Sequence, residues 1–589
     1  MNTENDNKDD LSDYLARQQA LDTQASYIVS APAGSGKTGL ITQRVLALLC
    51  NVENPEEILC ITFTRKAASE MKGRIHKALL AAADTPRPDD EFDGQTWDLA
   101  TQALAHNNKM GWDLLRMPSR LRIKTIDSFC NYVSKQFALE STLGSMPQQT
   151  DFPIIYYHMA AREFLEQLES NSETAKLLSV LVQHKGNDLS RCEKLLADML
   201  GKREQWLPHI YNAADNQDYF QRVIATLIEN CLDKLSQQLA PIAGELVELA
   251  DFAATQVNED SELVTLRSIC QLPEASVQGL PEWQVLLKLL VTNSLQPRKR
   301  ITAKEGFPTQ HRAEKQRMEE VLGFYQQDNQ LQALLTDAVH LPQTSDNNGE
   351  SQRENQQPVI NALAKLLPQL VAMLKIVFQQ HNLCDYPEIT LSALEALNTN
   401  TDQGDISDIT LRLDYQLKHI LVDEFQDTSG SQIQLLEHLV SGWQENDGRT
   451  LFLVGDAMQS LYSFRDARVG LFINAQDHPI GSVRCKPLYL DSNFRSKKGI
   501  VDWVNDNFVH VFPQIPDINR GAVPYNPSVA VKPADQQPAV HFNGIISPQK
   551  DAYERYEAEQ VAGLCKTINP KHPEQSVAIL VRNRSHLRQ

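Results

Sequence analysis

Paired cysteines are missing from this chain. Nine cysteines are scattered over 589 residues, with no CxxC and an odd total. That excludes a simple disulfide framework and the thiolate spacing of a structural zinc site. No uninterrupted apolar run is long enough to cross a bilayer; Val285–Val291 and Leu370–Phe378 are typical of the longest. The opening residues Met1–Asp13 are acidic and amide-rich, without the basic start and apolar stretch of a secretory signal. An excess of basic residues is also lacking: 56 Lys and Arg face 75 Asp and Glu, a net charge of −19. Any contact with nucleic-acid phosphate must therefore be a local positive groove on an acidic body. No internal repeat is visible. These absences lead us to expect a cytoplasmic protein with reduced thiols and no membrane partner. Its 42% apolar content, over this length, suits two to four domains with real cores.

The texture changes twice along the chain. Up to about residue 135, short β-branched runs alternate with helical patterns, as in an α/β domain. Ser26–Ser30 and Ile58–Thr62 read as strands; Thr38–Cys50 and Lys66–Leu80 carry apolar residues at helical spacing. From about 136 to 404 the pattern is helical, with long segments at Ile154–Leu168, Phe220–Leu249, Glu282–Leu290 and Val359–Phe378. A polar stretch, Thr344–Pro358, interrupts them and reads as a disordered loop. Strand signals return at Leu417–Asp423 and Thr450–Gly455, with a helix between them at Gln432–Trp443. A further α/β segment runs from about Leu488 and closes on the strand-like Val577–Val581.

Two motifs carry chemistry on their own. Ala31-Pro32-Ala33-Gly34-Ser35-Gly36-Lys37-Thr38 lies between a predicted strand and a predicted helix. Small residues there let backbone N–H groups turn inward around phosphate oxygens, and the helix N-terminus adds partial positive charge. Lys37 is then expected on the β/γ-phosphates and the Thr38 hydroxyl on Mg²⁺. The alternative is a chance glycine loop. The pattern usually opens with glycine; here that place is held by Ala31. The second motif, Ile420-Leu421-Val422-Asp423-Glu424, is an apolar strand ending in two carboxylates. Beyond a strand's carboxyl end both can enter one crevice, Asp423 to hold Mg²⁺ and Glu424 to take a proton from water. Taken alone, it reads equally well as an ordinary strand-to-turn transition.

Further residues narrow the class. Asp423-Glu424-Phe425-Gln426-Asp427-Thr428 resembles motif II of UvrD/Rep-like superfamily 1 DNA helicases. Val454–Arg465 resembles their motif III, Ile61–Met71 motif Ia, Thr125–Phe129 motif Ib and Asn493-Phe494-Arg495-Ser496 motif IV, all in the family's order. The long helical insert is similar to that of the AddA/RecB-type exonuclease V helicase subunits, as is Arg298–Pro308. The resemblance implies that Gln459 senses the γ-phosphate or attacking water, Phe494 stacks on the base and Arg495 acts as an arginine finger. It implies that Phe63, Tyr462 and Phe464 stack on unpaired bases, while Arg465, with Thr64 and Lys66, meets the DNA backbone. The family's adenine-reading glutamine has no clear counterpart: its usual spacing falls on Arg17, and neighbouring Gln18 is the candidate. The residue after Thr38, often a long cation in the family, is Gly39.

The expectation is therefore a P-loop, RecA-like α/β motor domain (1–135 and 405–487) split by a helical insertion (136–404). A second, incomplete RecA-like domain (488–589) follows, with motifs V and VI expected beyond it. The resemblance implies ATP and Mg²⁺ as ligands, 3′→5′ movement on DNA, and a role in recombinational repair of DNA ends. It implies a partner too, a second helicase–nuclease subunit, and little turnover by these residues alone. Two readings stay open: a non-catalytic DNA- or partner-binding protein, and a P-loop enzyme acting on a small molecule.

Overall fold

The computed structural model describes residues 12–138, 147–170, 172–214, 219–292, 298–326, 329–339, 341, 357–397, 408–460, 469–518, 521–535, 539–544, 550–568 and 576–583. The chain packs as two units: Met1–Ser145 with Glu388–Gln589, and Met146–Pro387. The strands in chain order are β1 (Tyr27–Ser30), β2 (Ile58–Thr62), β3 (Arg122–Thr125), β4 (Gln148–Gln149), β5 (Leu383–Cys384) and β6 (His419–Val422). They continue with β7 (Thr450–Gly455), β8 (Lys486–Tyr489), β9 (Ser492–Lys497) and β10 (Val529–Lys532).

The first unit is α/β. Its main sheet is six-stranded, in the order β3-β2-β6-β7-β1-β8, and every neighbouring pair is parallel. A parallel sheet covered on both faces wants unbroken apolar strands. That is what β2, β6 and β7 supply, each buried at every position. Early helices α1 (Tyr14–Ala20), α2 (Lys37–Leu49), α3 (Arg65–Asp84) and α4 (Glu91–Met110) follow. The α2 residues Leu40, Ile41, Val45 and Leu48 share one core with Val29, Phe452 and Val454 of the sheet.

Because the strands run parallel, β1, β2, β6 and β7 all end at one sheet edge. Ala31, Phe63, Asp423 and Asp456 leave from it. The order β6-β7-β1 sets the phosphate-loop strand two places from the strand ending in Asp423, roughly 10 Å at ordinary spacing. A lysine can bridge that gap.

Several sequence boundaries move. Lys486–Tyr489 pairs with β1, so the segment expected to open a second domain at 488 still belongs to the main sheet there. Beyond it, β9 and β10 form a two-stranded parallel sheet packed by the helix Lys498–Phe508. Val577–Val581, expected as a strand, pairs with no neighbour among the described residues, and Leu580 is 94% exposed.

The second unit is built of helices. The single helix expected over Phe220–Leu249 is two, Tyr219–Leu239 and Ala243–Gln256, joined by a 3-10 turn. Pro241 lies in that turn, where its missing N–H prevents α-helical continuation. Leu232, Leu246, Trp283 and Phe307 belong to this unit's buried core. The polar stretch at 344–358 lies outside the described residues except for Gln357 and Pro358, which open the helix Gln357–His381. Within that helix, Asn361–His381 is long and apolar enough to cross a bilayer by length and composition. Polar residues interrupt it, so no single apolar run announces it. Its Leu366, Leu370, Leu374 and Val377 are buried. A fully buried ion pair also ties this unit together: Arg203 donates to both Asp385 oxygens at 2.8 and 2.5 Å, and the Tyr157 hydroxyl donates to Oδ2 at 2.5 Å.

Candidate functional site

The loop after β1 is shaped from both sides. Ala31 is fully buried and continues the sheet, its N–H donating to Gly455 at 2.9 Å. Gly34 and Gly36 take φ of +87° and +80°, the left-handed region that favours glycine. A Cβ on Gly34 would also lie 2.6 Å from Asn493 Oδ1. Three successive carbonyls are engaged from outside the loop: Ala33 by Asn493 Nδ2 (3.1 Å), Gly34 by the Phe494 N–H (2.9 Å) and Ser35 by Arg17 (2.8 Å). The helix α2 then starts at Lys37 with no side-chain cap on its first N–H groups. Uncapped N–H groups at a helix start favour an anion. The Ser35 hydroxyl is buried without a partner among the described residues.

Across the sheet edge, Lys37 Nζ donates to Glu424 Oε2 at 2.7 Å, although 387 positions separate the two residues. Glu424 sits at φ +55°, a left-handed conformation unusual for a residue with a side chain. Its N–H donates to Asp423 Oδ1 at 3.0 Å. Burial first, then the neighbouring Glu424 charge, push the Asp423 carboxyl up to about 6, with Lys37 pulling the other way. Gln426, 1% exposed, joins β6 to β7: it donates to Glu424 Oε2 at 2.8 Å and accepts the Asp456 N–H at 2.9 Å. Burial raises the Asp456 carboxyl as well, opposed by the amide of Gln459, which donates to it.

On the near side, α1 and β9 are clamped to the same loop. The buried Asp13 carboxylate accepts from Arg17 at 2.8 and 2.7 Å, from the Asp491 and Ser492 N–H groups at 3.1 Å each, and from Ser492 Oγ at 2.9 Å. Burial works against the charged form of Asp13. Arg17 and Ser492 outweigh it and hold the carboxyl below its ordinary value. The Arg17 guanidinium lies over the Phe494 ring at 5.0 Å. Gln18, by contrast, is exposed on α1. Gly39 faces α4, where a Cβ would meet the Phe92 ring at 2.6 Å, so a long side chain there has no room.

Thus Lys37, Asp423, Glu424, Gln459 and the loop Ala31–Thr38 gather at one edge, with Asn493, Phe494 and Arg495 against the loop. A cavity of about 320 Å³ opens beside them, lined by Pro32, Ala33, Asp456, Gln459 and Arg495 and by apolar residues of the Lys498–Phe508 helix. Phe63 is half-buried just after β2, and Thr64 caps α3 by accepting the Ala67 N–H at 3.1 Å. Tyr462, Phe464 and Arg465 lie outside the described residues. No group of three or more His, Cys, Asp or Glu among the described residues is arranged to hold a metal. A cation at Asp423 and Thr38 would therefore keep much of its water shell, the habit of Mg²⁺.

Sequence reasoning assigned no role to Asp13, Arg17, Gln426 or Asp456. An acid–base pair four residues apart, such as Asp13 and Arg17, is an ordinary helix feature. Only its tertiary placement marks it.

The fold and site define an α/β protein with a lysine–carboxylate cleft at the carboxyl edge of a parallel sheet. Residues 14–479 match the UvrD/REP helicase N-terminal domain, and the chain belongs to that family. Among curated proteins it is similar to the A subunit of the ATP-dependent helicase/nuclease of Clostridium acetobutylicum, 24% identical over 87% of this chain and 40% of that protein. The protein of the same name from Lactobacillus gasseri is 26% identical over 91% of this chain and 43% of its own length. That from Thermoanaerobacter sp. is 26% identical over 86% and 40%. The chain thus spans about two fifths of the length of these relatives.

Proposed function

We propose that the chain is the nucleotide-binding, N-terminal part of an ATP-driven DNA translocase, with a RecA-like motor domain, the helical unit inserted in it and part of a second RecA-like domain. The observation that carries this reading is the 2.7 Å contact of Lys37 with Glu424 beside Asp423, at the edge where the phosphate loop begins. Ala31, Gly34, Ser35 and Gly36 would cradle the phosphates, with Lys37 on the β/γ oxygens. Thr38 and Asp423 would hold Mg²⁺, whose charge helps neutralise the transferring phosphoryl group. An arriving triphosphate gives Lys37 a more highly charged partner. Glu424, so released, can take a proton from water. Gln459, hydrogen-bonded to Asp456, would report the γ-phosphate; Arg495 would neutralise developing charge, and Phe494 would stack on the base.

Phe63 and Thr64, with Tyr462, Phe464 and Arg465, would form the track for single-stranded DNA, which stacking and backbone contacts hold without sequence preference. The names of the similar proteins support action at DNA ends in recombinational repair in the cytoplasm, beside a second helicase–nuclease subunit, with 3′→5′ polarity. By itself the chain is expected to turn over slowly. Arg495 is exposed on β9, whose one sheet neighbour among the described residues is β10.

Nucleotide binding by isothermal titration, with ATPase assays with and without single-stranded DNA, tests the reading. Lys37→Ala should abolish binding, and Glu424→Gln should bind but not hydrolyse. Binding unaffected by Lys37→Ala would reject it.

A further inference from the structure

We infer that Arg17, rather than a glutamine, meets the base of the bound nucleotide, and that the site accepts a purine presenting acceptors, guanine or hypoxanthine, at least as well as adenine. This rests on the nucleotide-binding reading above and names its base preference.

Arg17 has five N–H hydrogens and no acceptor. Nε donates to Asp13 Oδ1, and Nη2 uses both hydrogens, one on Asp13 Oδ2 and one on the Ser35 carbonyl. Nη1 donates to no group among the described residues. Its side chain is 11% exposed and held rigidly by those bonds, so the two remaining hydrogens have a defined direction. A Cβ built on Gly36 would be 3.8 Å from Nη1 and 3.8 Å from Phe494 Cδ2. Guanidinium and ring therefore form one wall beside the loop, cationic at Nη1 and aromatic at Phe494. The guanidinium lies 5.0 Å from the ring centroid, too close for a base to slide between them, since two stacked faces need about 7 Å. The base is left to pack along the wall with its edge toward Nη1.

The chemistry of that edge decides selectivity. Adenine presents N7 as acceptor but N6 as donor, which an amide can match and a guanidinium cannot. Guanine and hypoxanthine present N7 and O6, both acceptors, and two hydrogens on one nitrogen suit that pair. Gln18 cannot supply the missing acceptor from its exposed position on α1. Gly39 leaves no second long side chain to contribute, because Phe92 fills the space it faces.

The experiment is equilibrium binding to the whole chain by isothermal titration with ATP, GTP, ITP and 7-deaza-GTP, each with Mg²⁺. GTP and ITP are expected to bind as tightly as ATP or more tightly, and 7-deaza-GTP about fivefold or more weaker than GTP. Arg17→Gln is expected to move the ATP-to-GTP ratio at least about fivefold toward ATP, and Arg17→Lys to leave the wild-type order intact. ATP binding more tightly than both GTP and ITP in the unaltered protein overturns the inference and leaves the site itself standing. Absence of binding by all four, or binding indifferent to Lys37→Ala, overturns the site reading and this inference with it. The unmutated series decides the matter even where Arg17→Gln fails to fold.

Discussion

Arg44→Met should loosen the segment that delivers Arg17 to the phosphate loop. Arg44 lies in α2 and is fully buried. It donates to the carbonyls of Ala20 (2.7 Å), Asp22 (2.6 Å) and Ala25 (2.8 Å), the turn joining α1 to β1. Its guanidinium also rests over Phe452 at 4.6 Å and Tyr27 at 5.6 Å. Burial lowers its pKa only to about 10, so it stays charged near neutral pH. Methionine fills much of the volume but leaves three carbonyls without a donor. At about 1 kcal/mol each, the low end for a buried unpaired acceptor, the loss is about 3 kcal/mol. At 1.4 kcal/mol per factor of ten, that is roughly a hundredfold in the opening equilibrium. Hydrogen exchange of the Tyr27–Ser30 amides should accelerate by roughly this factor, while the helix Glu173–His184 of the other unit keeps its protection. Acceleration below about threefold would refute the reasoning, because it would mean that relief of the buried charge offsets the lost hydrogen bonds.

Four further outcomes are expected. Glu424→Gln should slow ATP hydrolysis by at least about a hundredfold with nucleotide affinity retained, measured by single-turnover phosphate release. Gly34→Ala should cost about 1–2 kcal/mol from its left-handed backbone alone, and more because the new Cβ meets Asn493; a lower thermal midpoint and weaker nucleotide binding would register it. Phe494→Leu should weaken binding of nucleoside triphosphates while leaving inorganic triphosphate unaffected, read by competition. Stability should also fall with acid through His419, whose pKa burial lowers to about 3 with the Arg44 and Lys418 charges adding to it. The folded protein keeps this ring neutral, while the unfolded chain protonates it near 6.5. Its contribution is therefore complete above pH 6.5 and declines by about 1.4 kcal/mol per unit as pH drops from there toward 3. Urea unfolding of His419→Gln between pH 7 and 4 should show a shallower slope than the parent.

Periodicity and short motifs determined much of this protein unaided. β2 and β7 lie where their apolar runs predict, because a buried parallel strand must be apolar throughout. The phosphate loop and the Asp423–Glu424 pair were legible because small residues and paired carboxylates at strand ends are rare outside such sites. Chain breaks were less legible. Pro241 divides a helix that periodicity runs straight through, and Val577–Val581 has strand composition but no strand beside it among the described residues. What only the tertiary structure decided is which side chains meet. Lys37 reaches Glu424 because β7 alone separates their strands in the sheet, an order the linear sequence does not state. Likewise Arg17, not Gln18, faces the loop, since Asp13 and the Ser35 carbonyl hold its guanidinium there. Local residue preferences act over a few positions and can be read in one dimension. Strand order and the turning of one helix face toward a loop come from closing the core, which involves the whole unit at once.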